Sequence, residues 1–203
     1  RIEMNFASAK NSRLNSWFAA ILICFPPVIF AAKTDFWPLA SPDGQCAISV
    51  SLDHGNLSYE VSRAGKIVIQ KSPLGLRRDD QGFEHSLAFD RAGKVESRRE
   101  KYELFTGPQP RVNHVLNHRT LTFLNTNHAP IEIELAAGDE GVAFRYKFPG
   151  KSGVIHVVES ELTSFSIPQN ARGWLQPFHA AGPYTPAYVD FYFPVAPGDP
   201  PPD

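Results

Sequence analysis

The strongest constraint on the fold is a period-two alternation of apolar and polar residues that begins after position 45. Ile48, Val50 and Leu52 fall on one face of an extended chain, while the serines between them fall on the other. Residues 53–56 (DHGN) and 63–66 (RAGK) are turn sequences, and apolar alternation resumes after each of them. Alternation interrupted by Gly and Asn is typical of a β-meander.

The same pattern returns in the second half of the chain. The candidate strands there are residues 120–124, 131–135, 142–148, 154–158 and 162–167, with Pro and Gly at the turns between them. No ten-residue stretch after residue 32 has the periodicity of an amphipathic helix. Many short strands separated by regular turns predict an all-β fold, a large antiparallel sandwich.

Residues 1–32 differ in composition from the rest of the chain. A basic flank leads into an uncharged apolar stretch that ends in small residues, which predicts a secretory signal peptide cleaved after Ala31 or Ala32. The mature protein would then be secreted or periplasmic. Pro26 and Pro27 favour a signal peptide over a membrane span, and the alternative is a buried N-terminal helix. After cleavage Cys46 would be the sole cysteine, so no intramolecular disulfide could form.

The charge balance excludes two classes of partner. The chain has 20 basic and 21 acidic residues and a formal net charge of -1. Basic residues 98, 99 and 101 alternate with glutamates, as on a solvated strand or loop. We therefore expect no nucleic-acid partner, and no membrane partner once the signal peptide is removed.

Local motifs provide no catalytic residues. His114 and His118 have a spacing that suits metal ligands on a helix, but their surroundings indicate a loop leading into a strand. Glu159 and Glu161 would lie on one side of a strand, and such a pair cannot flank a glycosidic bond. Residues 139–141 (DEG) predict a hairpin turn rather than a cation site.

The C-terminal part of the chain is rich in aromatic residues outside regular alternation. They are Trp174, Phe178, Tyr184, Tyr188, Phe191, Tyr192 and Phe193. Rings interspersed with Pro and Gly suit either a sugar-stacking platform or a contact with another domain. The third interpretation is that they fold back onto their own sandwich.

Four stretches carry a resemblance to a known family. Residues 41–76 (SPDGQ…SPLGL), 113–123 (NHVLNHRTLTF), 138–150 (GDEGVAFRYKFPG) and 159–165 (ESELTSF) occur in order and at matching spacing. Together they resemble the N-terminal domain of glycoside hydrolase family 97, with Glu140 where the family usually has Asp. The resemblance covers the chain from about Ser41 onward.

This resemblance implies a domain organisation. The family's enzymes combine an N-terminal β-super-sandwich of galactose mutarotase type, a catalytic (β/α)8 barrel and a C-terminal β-domain. Residues 33–193 would be the super-sandwich, and the proline-rich residues 194–203 would be a linker toward a barrel that is not in this sequence. The catalytic carboxylates belong to the barrel, so the resemblance assigns no catalytic residue here.

The resemblance also implies a possible calcium site and an interface. In the full-length enzymes a glutamate of this domain, in a segment similar to residues 188–192 (YVDFY), binds calcium near the active site. Tyr188 and Tyr192 match that segment, Val189 stands where the glutamate is expected, and Asp190 is adjacent. Valine has no ligand oxygen, so no metal ligand is assigned. Trp174, Tyr188, Asp190 and Tyr192 are the candidate substrate-binding or barrel-interface residues.

Three functions follow as hypotheses. The first is an N-terminal domain of a secreted hydrolase of α-glucosides or α-galactosides, which buttresses the barrel, completes the carbohydrate cleft and is inactive alone. The second is an independent carbohydrate-binding module that uses the same aromatic residues. The third is a mutarotase-like epimerase, which would need His114, His156 or His179 to converge with Glu161.

Overall fold

The computed structural model describes residues 35–108, 110–150, 153–177, 183 and 191–200. Within these ranges the chain forms thirteen β-strands and no α-helix. The strands are β1 Asp35–Ala40, β2 Cys46–Asp53, β3 Asn56–Arg63, β4 Lys66–Leu74, β5 Leu76–Arg78, β6 Ala88–Ala92, β7 Glu96–Glu103, β8 Arg111–Leu124, β9 Pro130–Gly138, β10 Gly141–Lys147, β11 Val158–Glu161, β12 Gly173–Leu175 and β13 Phe193–Val195. The described part of the chain contains no helical stretch that could traverse a lipid bilayer.

The first sheet is an antiparallel meander in the order β1-β2-β3-β4. The turns between β2 and β3 and between β3 and β4 have two-residue loops, at His54-Gly55 and Ala64-Gly65, and all four residues have positive φ. Positive φ at both loop positions is the type I′ geometry, whose twist matches that of the flanking strands. The turns predicted from the sequence at 53–56 and 63–66 are therefore confirmed.

The second sheet has the order β10-β9-β8-β6, and β7 also pairs with β8. The fourteen-residue β8 is its central strand. Its first half pairs with β7, and its second half lies between β9 and β6. The β9–β10 hairpin turns at Asp139-Glu140, as the sequence predicted.

The core lies between the two sheets. Ile48, Val50 and Tyr59 of the first sheet and Leu121 and Ile133 of the second belong to one buried cluster. These residues alternate along their strands with polar ones, so each sheet contributes one apolar face. The structure is thus the antiparallel all-β sandwich that the sequence predicted. Cys46 is buried with a free thiol.

Two predictions of local structure were wrong. Residues 111–117 are a strand rather than a loop, because residues 96–103 pair with them along their whole length. Residues 154–157 are not a strand, and residues 162–167 make one isolated bridge, between Ser166 and Gln70. Residues 154–167 run along the edges of β4 and β5. The register of the one strand in this segment, β11, is broken between Val158 and Ser160.

Candidate functional site

Exposed apolar side chains concentrate in two stretches near the C-terminal end of the described chain. In the first stretch they are Val154, Ile155, Val157, Val158, Leu162, Phe165, Ile167, Trp174 and Leu175, and in the second Phe191, Tyr192 and Phe193. Single exposed apolar residues are ordinary, whereas a concentration of them marks an interaction surface. We call residues 153–177 the strap.

Two tyrosines from the core side attach the strap to the sandwich. The hydroxyl of Tyr59, on β3, donates to the carbonyl of Ser164 at 2.9 Å. The hydroxyl of Tyr146, on β10, lies 2.7 Å from Oγ1 of Thr163 and accepts a hydrogen bond from the amide of Gly75 at 2.9 Å. Burial raises the pKa of the Tyr146 phenol above its usual value. Each sheet therefore holds the strap through one tyrosine hydroxyl.

Backbone hydrogen bonds hold the strap along the first sheet and β5. The amide of Leu162 donates to Gly75 at 2.8 Å, and the amide of Gln70 donates to Ser166 at 2.8 Å. The amide of Asp79 donates to Val157 at 2.9 Å. A backbone fixed in this way presents its apolar side chains at little further cost in conformational entropy, which favours binding.

The structure describes two of the four predicted site residues. Trp174 lies on β12 and is 61% exposed, while Tyr192 is 66% exposed and directly precedes β13. β12 and β13 pair antiparallel, with Trp174 opposite Pro194, so the two aromatic residues belong to one small ribbon. Tyr188 and Asp190 lie outside the described residues, and so does Val189.

The histidines that the structure describes form neither a helical metal site nor an ion pair with Glu161. His114 and His118 are on strand β8. His156 lies 3.2 Å from Asp79 and 3.5 Å from Asp80, and no ion pair between the described residues joins a histidine to Glu161. His179 lies outside the described residues. Glu159 and Glu161 are exposed on β11, as expected.

Asp79, Asp80 and His156 form the one group of possible metal ligands among the described residues. Arg78 occupies both carboxylate oxygens of Asp80, and this hydrogen bonding lowers the pKa of Asp80. Calcium takes six to eight oxygen ligands, whereas this group offers an imidazole nitrogen, the carboxylate of Asp79 and the already paired carboxylate of Asp80. These residues do not fit a calcium ion.

Sequence reasoning missed the strap as a functional surface. Residues 154–158 and 162–167 were assigned to strands, which would have buried half of their apolar side chains. The structure instead leaves Ile155 89% exposed and Phe165 largely exposed. Apolar content alone does not distinguish a core strand from a docking surface. The sequence feature that indicated a docking surface was the family resemblance, which implies a neighbouring domain.

Comparison with known proteins gives the family of this sandwich. The family described as "Glycosyl-hydrolase 97 N-terminal" matches residues 39–193. A "Probable retaining alpha-galactosidase" from Streptomyces bingchenggensis (strain BCW-1) is 28% identical over 149 residues, which are 71% of this chain and 23% of that protein.

Two solved structures share the fold. A glycoside hydrolase family 97 enzyme (E480Q) from Pseudoalteromonas sp. strain K8, in complex with panose, superposes with a TM-score of 0.66 and 24% identity, over 80% of this chain and 25% of that one. A beta-arabinopyranosidase superposes with a TM-score of 0.69 and 24% identity, over 77% of this chain and 26% of that one.

The chain thus spans about a quarter of the length of these relatives. The family match covers most of the chain, including the sandwich and the strap. All four motifs recognised in the sequence fall within the matched residues. This chain belongs to the glycosyl-hydrolase 97 N-terminal domain family.

Proposed function

We propose that this chain is the N-terminal domain of a secreted glycoside hydrolase that acts on α-glucosides or α-galactosides. The observation that carries the proposal is the strap, whose apolar side chains are exposed although hydrogen bonds attach it to both sheets. In this role the strap packs against a (β/α)8 barrel and helps to complete its carbohydrate cleft. Trp174 and Tyr192 would lie at that contact, together with Tyr188 and Asp190.

The substrate class is supported by the relatives. One is described as a probable retaining alpha-galactosidase, and another is an enzyme solved with panose bound. A sandwich domain beside such a barrel contributes positioning rather than chemistry, because hydrolysis needs two carboxyl groups placed on either side of the bond. Glu159 and Glu161 share one exposed strand and do not provide that arrangement. The domain alone is therefore proposed to be inactive.

Secretion and calcium are further parts of the proposal. Residues 1–32 would direct the protein to the periplasm or the medium and would be removed there. The calcium of the longer enzymes would take no ligand from position 189, where this chain has valine. N-terminal sequencing of the exported protein tests the first point, and a start at residue 32 or 33 is expected.

Activity measurements test the central claim. The purified chain should not hydrolyse aryl α-glucosides or aryl α-galactosides faster than a heat-inactivated sample does. The gene should continue in frame beyond the codon for Asp203 into a barrel of about 250 residues. Turnover by the purified chain, or a stop codon directly after position 203, would contradict the proposal.

The second candidate function is an independent carbohydrate-binding module. The exposure of Trp174 and Tyr192 favours it, because open aromatic faces stack against sugar rings. Calorimetric titration with maltose and melibiose separates the two functions. Saturable binding that is lost in Trp174→Ala or Tyr188→Ala supports a module with an aromatic platform. The epimerase hypothesis has no support from the described histidines.

A further inference from the structure

A cluster of metal-ligating side chains joins the first part of the strap to the end of β5. Asp79 and Asp80 directly follow β5, whereas His156 lies in the strap, 77 positions after Asp79. Nδ1 of His156 is 3.2 Å from Oδ1 of Asp79 and 3.5 Å from Oδ1 of Asp80. One ligand atom from each residue lies within 4.8 Å of the other two. Two distant segments of the chain thus bring three possible ligands to one place.

The spacing of these atoms matches the geometry of a tetrahedral zinc ion. Zinc binds nitrogen and oxygen ligands at about 2.0–2.1 Å, so two ligands of a tetrahedral site lie about 3.3 Å apart. The distances of 3.2 Å and 3.5 Å from His156 to the two aspartates are close to this value. They also suit an ion pair between a protonated imidazole and the carboxylates, and a metal titration separates the two interpretations.

The donor atoms favour zinc over calcium. Imidazole nitrogen suits zinc and other late first-row metal ions, whereas calcium and magnesium prefer oxygen ligands. Three protein ligands leave one position of a tetrahedral site open, and water can take it. Calcium would need several more oxygen ligands, and among the described residues the group contains no further histidine, cysteine or carboxylate.

Arg78 holds the carboxylate of Asp80 in position. Its guanidinium donates to both carboxylate oxygens, with Nη2 at 2.7 Å from Oδ2, and lies 4.7 Å from the centre of the Phe148 ring. A carboxylate has about four acceptor positions, so Asp80 can bond Arg78 and a metal ion at the same time. Carboxylates that bind metals are themselves usually hydrogen-bonded. Since the two carboxylates outnumber the one guanidinium, the cluster attracts a cation when the imidazole is neutral.

The backbone fixes the two sides of the cluster relative to each other. Arg78 and Gln81 exchange backbone hydrogen bonds of 2.9 and 3.2 Å, so Asp79 and Asp80 form the loop of a tight hairpin. The amide of Asp79 donates at 2.9 Å to the carbonyl of Val157, which is next in sequence to the histidine. The three side chains are 23–38% exposed, so an ion can reach them from solvent.

We propose that Asp79, Asp80 and His156 form a zinc site that fastens the strap to the sandwich. Zinc binds one oxygen of each aspartate and Nδ1 of the histidine, and water takes the fourth position. The ion links the turn after β5 to the strap beside Ile155 and Val157, whose side chains are exposed. It therefore holds the first part of this docking surface in place. The site is separate from the calcium site that the family resemblance implies, and it does not depend on the proposed function.

Zinc titration of the untagged, chelator-treated full chain, in competition with a chromophoric chelator, tests the proposal. We expect one equivalent of zinc to bind, with an affinity at least about tenfold weaker in Asp79→Asn and in His156→Gln. Because exposed ion pairs contribute little to stability, both variants should fold. His54→Asn is the control, since His54 lies 3.7 Å from Asp53 in a pair that offers only two ligands. This variant should bind zinc as the unmodified chain does.

Hydrogen exchange gives a second measurement. Bound zinc should slow the exchange of backbone amides in residues 154–158, and unchanged exchange with zinc bound would overturn the role in fastening the strap. The site itself would be overturned by an affinity that is the same in both variants and the unmodified chain, because zinc would then bind elsewhere. The absence of saturable binding with zinc in large excess, or displacement of zinc by an equal concentration of calcium, would also overturn it. None of these results bears on the gene sequence beyond residue 203 or on the activity of the chain, so the proposed function is tested separately.

Discussion

The hydroxyl of Tyr146 lies 2.7 Å from Oγ1 of Thr163 and joins the strap to the second sheet. The same oxygen accepts the amide proton of Gly75, at the junction of β4 and β5. One partly buried side chain thus connects three segments that are distant in sequence. The exposed apolar side chains of the strap owe their position to this connection and to its counterpart at Tyr59.

Removing the hydroxyl should destabilise the domain. In Tyr146→Phe the amide of Gly75 loses its acceptor, and leaving a buried donor without a partner costs about 1–3 kcal/mol. Urea unfolding followed by tryptophan fluorescence should show a lower midpoint with an unchanged slope. Tyr102→Phe is the control, because Tyr102 is half exposed on β7, and it should leave the midpoint unchanged.

The raised pKa of Tyr146 predicts a loss of stability at alkaline pH. Burial disfavours the phenolate in the folded protein, so the unfolded chain releases this proton at a lower pH. The contribution of Tyr146 to the free energy of unfolding is fully present below the pKa of the unfolded chain, which is about 10. It is lost as pH rises through the higher pKa of the folded protein. Unfolding midpoints should be measured between pH 8 and pH 11.5 for Tyr146→Phe and for the unmodified chain. Above pH 10 the midpoint should fall less steeply with pH in the variant, and equal slopes in the two proteins would contradict this.

Two turn glycines with similar φ should respond differently to alanine. A Cβ at Gly55 (φ 79°) would lie 2.8 Å from the Cα of Ser86, whereas a Cβ at Gly65 (φ 73°) would have no atom within 4 Å. Gly65→Ala should lower the free energy of unfolding by about 1–2 kcal/mol, because alanine must then adopt a left-handed conformation. Gly55→Ala adds a backbone clash and should cost more. If chemical denaturation shows that both variants lose the same free energy of unfolding, the 85–87 loop moves easily to accommodate the added methyl group.

The exposed side chains of the strap should bind apolar probes without contributing to stability. Ile155 and Trp174 are exposed, so replacing both with serine should change the free energy of unfolding by less than about 0.5 kcal/mol. The same variant should bind less of the dye ANS than the unmodified chain does and should self-associate less at high concentration. Phe105→Ser, which changes a single fully exposed ring between β7 and β8, should alter dye binding little. A large loss of stability in the double variant would mean that the strap is part of the core.

The surface predicted at Trp174 and Tyr192 is only partly described by the structure. The exposure of these two side chains agrees with a role in contacting a substrate or a barrel domain. Tyr188 and Asp190 lie outside the described residues and stay predictions. The signal peptide and the linker also stay predictions. The sequence places His118 in a loop leading into a strand and not in a metal site, and a single sequence does not show which residues lie across the sheet from it.

The sequence alone determined the features that depend on neighbouring residues. Alternation placed Ile48 and Val50 on the core face, and the DHGN and RAGK turns followed from their Gly and Asn residues. The family motifs also lie within short continuous stretches. Each of these features is encoded within a few residues, so periodicity and turn chemistry suffice to predict them.

Only the tertiary structure decided which strands meet. The polar residues 96–103 and 111–117 became a ribbon because they pair with each other, and the row of His118, Ala136 and Ala143 exists only through the register of three strands. The strap lies against both sheets because Tyr59 bonds the backbone carbonyl of Ser164 and Tyr146 bonds the side-chain hydroxyl of Thr163. Such contacts join residues far apart in the chain, and their free energy depends on the packing of the whole sandwich rather than on local sequence.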